Sequence, residues 1–142
     1  MVIRFEETEM SAEKILIAED DTNMVKSLKT LLENNDFSVV TTENPNEVIN
    51  LARNERPSLI ILDVIFEGFS GPDGFELSRK LAHDNDLKSI PVIILSGVKK
   101  IISSDFVVEP DSEWLPVATF LDKPVKPEKL LNEINNLITK RS

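Results

Sequence analysis

The segment Pro57-Ser-Leu-Ile-Ile-Leu-Asp63 decides the fold. Its four consecutive apolar residues are typical of a strand that is buried on both faces of a parallel sheet. Four more short apolar runs, at 15–18, 37–41, 92–95 and 118–121, lie before and after it. Segments with helical spacing separate most of these runs. Five strands that alternate with helices predict a doubly wound α/β domain with helices on both faces of the sheet.

The helices are marked by their opening residues and by apolar residues three or four positions apart. Asn44-Pro45 opens the second helix, Asp73-Gly74 the third and Pro127 the last. The apolar stripes are Met24, Leu28, Leu31 and Leu32 in the first helix, and Leu130, Leu131, Ile134, Leu137 and Ile138 in the last. Between the last two strands, two prolines limit any helix to residues 98–104. This fourth helix is therefore predicted to be short or irregular.

Length and composition bound the classes of function. The 142 residues suit one domain, and we expect a flexible N-terminal lead-in at 1–13 followed by the domain at 14–140. The net charge of −9, without a cluster of Lys and Arg, argues against direct nucleic-acid binding. No apolar stretch is long enough to span a membrane. The absence of cysteine excludes thiolate chemistry and suits a cytoplasmic location.

Candidate site residues follow four of the five predicted strands. They are Glu19, Asp20 and Asp21 after the first strand, Asp63 after the third, Ser96 after the fourth and Lys123 after the fifth. In a doubly wound sheet, ligands bind beyond these carboxyl ends. Carboxylates bind Mg²⁺, which also engages phosphate oxygens, and a carboxylate can attack phosphorus as a nucleophile. Acids that merely favour a helix N-terminus would explain residues 19–21 but not Asp63 and Lys123.

Four segments of the chain carry a family resemblance. They are Ile15-Leu-Ile-Ala-Glu-Asp-Asp21, Pro57-Ser-Leu-Ile-Ile-Leu-Asp63, Ile90-Pro-Val-Ile-Ile-Leu-Ser96 and Phe120-Leu-Asp-Lys-Pro124. Together they resemble the signatures of response-regulator receiver domains over residues 14–140. The resemblance implies a flavodoxin-like sheet with strand order 2-1-3-4-5. It also implies a phosphoacceptor switch with self-catalysed phosphorylation and slow autodephosphorylation, which is not a turnover enzyme.

The resemblance assigns a role to each site residue. Asp63 would accept the phosphoryl group, and Glu19, Asp20, Asp63 and the backbone carbonyl of Ile65 would hold Mg²⁺. Lys123 and Ser96 would contact the phosphoryl oxygens. Ser96 and Phe120 would form the switch, although Phe120 suits plain core packing equally well. The Lys123–Pro124 bond is predicted to be cis.

The resemblance also implies partners. The phosphoryl group would come from a sensor histidine kinase or a histidine phosphotransfer protein. A downstream protein partner or effector domain would read the change, and a phosphorylation-dependent dimer is a further option. From its length we expect a stand-alone receiver.

The chain departs from the family pattern near the site. The loop between Asp63 and Gly74 is longer than usual, and Glu67 replaces the family's proline. The longer loop puts metal coordination and kinase docking in question. The remodelled segment 98–116 does the same for the surface through which receiver domains generally signal. Ile65 and Val98 are apolar at two positions that tune phosphoryl lifetime in this family. Because apolar side chains there would obstruct an attacking water, we expect slow hydrolysis.

Other classes of function fit less well. An aspartyl phosphohydrolase usually carries a second Asp two residues after the first, where this chain has Ile65. A dinucleotide oxidoreductase would need a Gly-rich loop after the first strand, which is absent. A non-phosphorylated interaction module on the same fold remains the main alternative.

Overall fold

The computed structural model describes residues 12–64, 73–96 and 119–141. Five strands form one parallel sheet: β1 Lys14–Ala18, β2 Ser38–Thr42, β3 Leu59–Asp63, β4 Val92–Ser96 and β5 Thr119–Asp122. Their order in the sheet is β2-β1-β3-β4-β5. The predicted order 2-1-3-4-5 is therefore confirmed, and β3 lies at the centre of the sheet.

Four α-helices lie in the described part of the chain: α1 Thr22–Glu33, α2 Val48–Glu55, α3 Gly74–Ala82 and α4 Pro127–Arg141. A 3₁₀ turn, Pro45–Glu47, precedes α2. The side chain of Asn44 caps this turn, so the Asn-Pro signal marks the 3₁₀ turn rather than the first α-helical residue. The short helix predicted over 98–104 and most of the N-terminal lead-in lie outside the described residues.

The core has two layers because side chains of successive strand residues point to opposite faces. Leu16 and Leu62 belong to the layer that α2 and α3 cover, whereas Ile17 and Ile61 belong to the layer under α1 and α4. All four of these side chains are fully buried. Burial of each such side chain contributes about 1.5–3 kcal/mol to stability. Together the two layers hold the strands in place, and with them the carboxyl ends of the strands.

Side-chain caps fix the helix starts at the carboxyl edge of the sheet. Asp21 accepts hydrogen bonds from the backbone N–H groups of Asn23 and Met24, at 3.0 and 3.2 Å. Asp73 does the same for the N–H of Glu76, at 2.8 Å. Such caps contribute about 1 kcal/mol each. They place the N-termini of α1 and α3 next to the ends of β1 and β3.

The Lys123–Pro124 peptide bond is cis, as predicted. Among the described residues, no helix is long and apolar enough to cross a membrane.

Candidate functional site

Three strands deliver the charged residues to one edge of the sheet. Ala18, the last residue of β1, is in register with Leu62 of β3, so Glu19 lies beside Asp63. Asp63 is itself the last residue of β3. Strand β5 ends at Asp122, and Lys123 follows directly. The parallel arrangement therefore brings together residues that are far apart in the sequence.

The carboxylates of Glu19, Asp20 and Asp63 form a compact cluster. Each offers an oxygen atom, and these three atoms all lie within 4.8 Å of one another. The ammonium group of Lys123 donates a hydrogen bond of 2.9 Å to Asp63 Oδ1. The same Nζ lies 3.1 Å from Glu19 Oε2. The predicted set Glu19, Asp20, Asp63 and Lys123 thus converges.

Glu19 is the most buried acid of this cluster, with 1% of its surface exposed. Its Oε1 accepts a hydrogen bond from the backbone N–H of Asp21, at 3.2 Å. Its Oε2 has the ionic contact with Lys123 but no hydrogen-bond partner among the described residues. A buried carboxylate oxygen without a hydrogen bond is costly. A bound cation would satisfy it.

The pKa values reflect this crowding. Burial raises the pKa of Glu19 to about 7; the charge of Asp63 adds to the effect and Lys123 opposes it. Burial also raises the pKa of Asp63, against the hydrogen bond and charge of Lys123. Burial alone would lower the pKa of Lys123, but the two carboxylates outweigh it, so this pKa lies above its usual value. The ammonium group therefore stays charged.

The cluster has the charge and ligand chemistry of a site for a hard divalent cation. Three carboxylates and one ammonium leave an excess of two negative charges when all are ionised. Oxygen ligands of this kind suit Mg²⁺, and a divalent cation balances the excess. The residues present thus fit the ion that the resemblance implies.

Gly74 brings α3 unusually close to the backbone of Asp63. Its N–H donates a hydrogen bond of 2.8 Å to the carbonyl of Val64. A Cβ at position 74 would lie 2.3 Å from the carbonyl oxygen of Asp63 and 2.9 Å from Val64 Cα. Glycine is required here because of this close approach. The Asp73-Gly74 pair predicts only a helix start, and the close approach of Gly74 to the Asp63 backbone has no sequence pattern of its own.

The two proposed switch residues lie on neighbouring strands. Ser96 ends β4 and pairs in register with Asp122 of β5, which places its backbone at the same edge as Asp63. Phe120 is half-buried and packs against the core layer under α2 and α3. Its ring contacts the ring of Phe75 edge to face, with centroids 6.3 Å apart and an interplanar angle of 65°. Core packing of Phe120 is therefore present in this structure.

Some of the predicted features lie elsewhere. Asp21 caps α1 and is not one of the three clustered acids. Ile65 and Val98, the loop residue Glu67 and the segment 98–116 lie outside the described residues. Sequence reasoning missed the contacts of Gly74 and Phe75, because both contacts arise only when α3 packs against the sheet.

Comparisons with known proteins identify the family of this chain. The sequence model of the response regulator receiver domain matches residues 15–135. Protein PilH from Pseudomonas aeruginosa is 30% identical over 128 residues, which cover 88% of this chain and 97% of PilH. The probable transcriptional regulator ycf29 from Pyropia yezoensis is 32% identical over 127 residues. This match covers 89% of this chain and 54% of ycf29, so the chain spans about half the length of that relative.

The fold also matches solved structures. The receiver domain of a sensor histidine kinase from Pseudomonas aeruginosa PAO1 matches with a TM-score of 0.74 and 17% identity, over 91% of this chain and 99% of that one. That protein has a magnesium ion coordinated in its active-site cleft. At this identity the likeness shows the fold alone. The sequence match over residues 15–135 carries the assignment: the chain belongs to the response-regulator receiver domains of two-component signalling.

Proposed function

We propose that Asp63 accepts a phosphoryl group in a reaction that depends on Mg²⁺. The ion would be held by Glu19, Asp20 and Asp63, with the backbone carbonyl of Ile65 as a further ligand. One observation carries the proposal: the three carboxylates lie within 4.8 Å of one another, with Lys123 at 2.9 Å from the proposed acceptor. A structural ion pair would need only one of the three acids. When bound, Mg²⁺ supplies positive charge to the phosphoryl oxygens.

The step itself is a displacement at phosphorus. An oxygen of the ionised Asp63 forms a bond to phosphorus while the P–N bond of a phosphohistidine breaks. The bonding electron pair stays on the imidazole nitrogen, which takes up a proton, and an acyl phosphate results. With acetyl phosphate as donor, the P–O bond breaks instead and acetate leaves.

Lys123 and Ser96 would stabilise the transferred group. The raised pKa of Lys123 keeps its ammonium charged, so it can pair with a phosphoryl oxygen beside Asp63. Ser96 would donate its hydroxyl hydrogen to another oxygen, because the end of β4 lies at the same edge of the sheet. Movement of Ser96 and Phe120 would then transmit the change.

The proposed partners follow from this reaction. A sensor histidine kinase or a histidine phosphotransfer protein supplies the phosphoryl group, and a downstream protein or effector domain reads it. A phosphorylation-dependent dimer is one form that this output can take. The domain acts as a slowly dephosphorylating phosphoacceptor rather than a turnover enzyme, in the cytoplasm.

The test is intact mass after incubation with acetyl phosphate. We expect a gain of one phosphate in the presence of Mg²⁺ and no gain in its absence. Asp63→Ala should abolish the gain. Asp122→Ala is the matched control, because Asp122 is an exposed acid at the end of β5 and should leave the gain unchanged.

A gain that persists in Asp63→Ala would refute the assignment of the acceptor. If neither protein gains mass, a titration with beryllofluoride and Mg²⁺ decides between the remaining interpretations. No binding in that titration favours the non-phosphorylated interaction module.

A further inference from the structure

Phe75 and Phe120 join α3 to β5 across the face of the sheet. The two half-buried rings meet edge to face, at a centroid distance of 6.3 Å. Both pack against the same core layer. Strand β5 pairs only with β4 in the described sheet and has four residues, whereas each of the other strands has five. The ring pair therefore adds a contact with α3 to the strand pairing that holds this edge strand.

At the other end, Phe75 is tied to the acceptor through the backbone. It follows Gly74, whose N–H binds the Val64 carbonyl at 2.8 Å. A Cβ at position 74 would lie 2.3 Å from the Asp63 carbonyl oxygen, so nothing separates the start of α3 from the acceptor backbone. The side chain of Ser78, which is fully buried, holds the first turn by donating to the Gly74 carbonyl at 2.8 Å.

Phe120 in turn lies three residues before Lys123. Its neighbour Leu121 is buried in the opposite core layer, so β5 is held from both faces. The ammonium group of Lys123 then reaches back to Asp63 at 2.9 Å. The contacts therefore link Asp63 to α3, α3 to β5, and β5 through Lys123 back to Asp63.

We propose that Phe75 is a positioning residue: through its contact with Phe120 it holds β5 where Lys123 reaches Asp63 and Glu19. The proposal rests on the proposed function for its kinetic consequence, though not for its structural one. It predicts that loss of the ring pair slows phosphorylation but tightens Mg²⁺ binding. Phosphorylation slows because Lys123 stabilises the transferred phosphoryl group. Mg²⁺ binding tightens because Lys123 competes with a cation for the carboxylates of Glu19 and Asp63.

The test is Phe75→Leu, which keeps an apolar side chain but removes the ring pair. We expect labelling by acetyl phosphate to slow about two- to tenfold, the factor that the loss of one aromatic pair corresponds to. Calorimetric titration with Mg²⁺ should show tighter binding by a similar factor. A residue that only stabilises the fold would weaken both processes together.

Two controls separate position from stability. Leu81→Val also removes apolar volume from α3, from a side chain that is 1% exposed, but it leaves the ring pair intact. Leu81→Val should not change the labelling rate and the Mg²⁺ affinity in opposite directions. In a Lys123→Ala background, Phe75→Leu should leave the Mg²⁺ affinity unchanged, because the competing ammonium is already gone.

Hydrogen exchange provides a readout that needs neither phosphate nor metal. Phe75→Leu should speed exchange of the β5 amides, residues 119–122, more than Leu81→Val does at equal overall stability. Equal exchange in the two variants, or parallel loss of labelling and Mg²⁺ affinity, overturns the proposal. If the unmodified chain is neither labelled nor binds Mg²⁺, the proposed function fails, and the exchange result still decides whether Phe75 positions β5.

Discussion

Substituting Gly74 by alanine tests the close approach between α3 and the backbone of Asp63. The added Cβ would lie 2.3 Å from the Asp63 carbonyl oxygen, where ordinary contact begins at 3.4 Å. The gap must therefore open by about 1 Å. Three features resist this movement: the hydrogen bond of Gly74 N–H to Val64, the Asp73 cap, and the buried side chains of Leu77 and Leu81.

Two opposing effects set the magnitude. Overpacking of this kind costs about 1–3 kcal/mol, and a contact between two backbone segments falls at the upper end of that range. Alanine gains at most about 1 kcal/mol over glycine from helix propensity. We therefore expect a net loss of about 2 kcal/mol, or roughly 4–8 °C in Tm for a domain of this size.

Urea unfolding and acetyl phosphate labelling measure the two consequences. Gly74→Ala should lower the unfolding midpoint without changing its slope. It should also slow labelling on the order of 10- to 100-fold, since a displacement of about 1 Å at a reacting group can cost that much. Lys80→Ala, an exposed change in the same helix, should stay within about 0.5 kcal/mol of the unmodified chain. A Gly74→Ala variant as stable as the unmodified chain would refute the reasoning.

Further predictions concern pH, the helix cap and phosphoryl lifetime. Glu19 has a pKa of about 7 in the folded chain against an ordinary value of 4.5, so the folded state binds more protons between these values. In EDTA, the free energy of unfolding should therefore fall as pH rises through this window. In a separate calorimetric titration without EDTA, the affinity for Mg²⁺ should rise over the same window, by up to about tenfold per pH unit. A free energy of unfolding that rises through this window, or a Mg²⁺ affinity that falls, would contradict the assignment of Glu19 as a ligand. Asp21→Ala should cost about 1 kcal/mol in urea unfolding as a lost cap, while Mg²⁺-dependent labelling persists in the folded variant. Loss of labelling there would place Asp21 among the ligands. Polar substitutions at Ile65 and Val98 should shorten the half-life of the phosphoryl group, which is measured as loss of the phosphate mass over time. A half-life of seconds that these substitutions leave unaltered would contradict slow hydrolysis.

Most of the fold could be predicted because apolar runs mark buried strands. The predicted strand bounds lie within one residue of those observed. Several differences occur at polar residues such as Lys14 and Asp63, which continue the ladder although their side chains carry no apolar signal. At the second strand, the apolar residue Phe37 was included in the prediction but lies before the observed start at Ser38. The start of α2 was predicted less well, because Asn44-Pro45 opens a 3₁₀ turn with the same cap chemistry as an α-helix.

The candidate site was predictable to the extent that strand ends share an edge. This rule places Glu19, Asp20, Asp63 and Lys123 together without any knowledge of distances. It does not separate Asp20 from Asp21, which differ only in whether the carboxylate turns to the cluster or to the start of α1. Nor does it reveal the contact of Phe75 with Phe120, because that contact depends on the packing of α3 over the sheet.

The most direct test of the central claim is chemical identification of the phosphorylated side chain. An aspartyl phosphate is reduced by borohydride to homoserine, which peptide mapping locates. After treatment with Mg²⁺ and acetyl phosphate, we predict homoserine at position 63 and at no other carboxylate. Homoserine at Asp20, at Asp122 or at another aspartate in place of Asp63 would contradict the account.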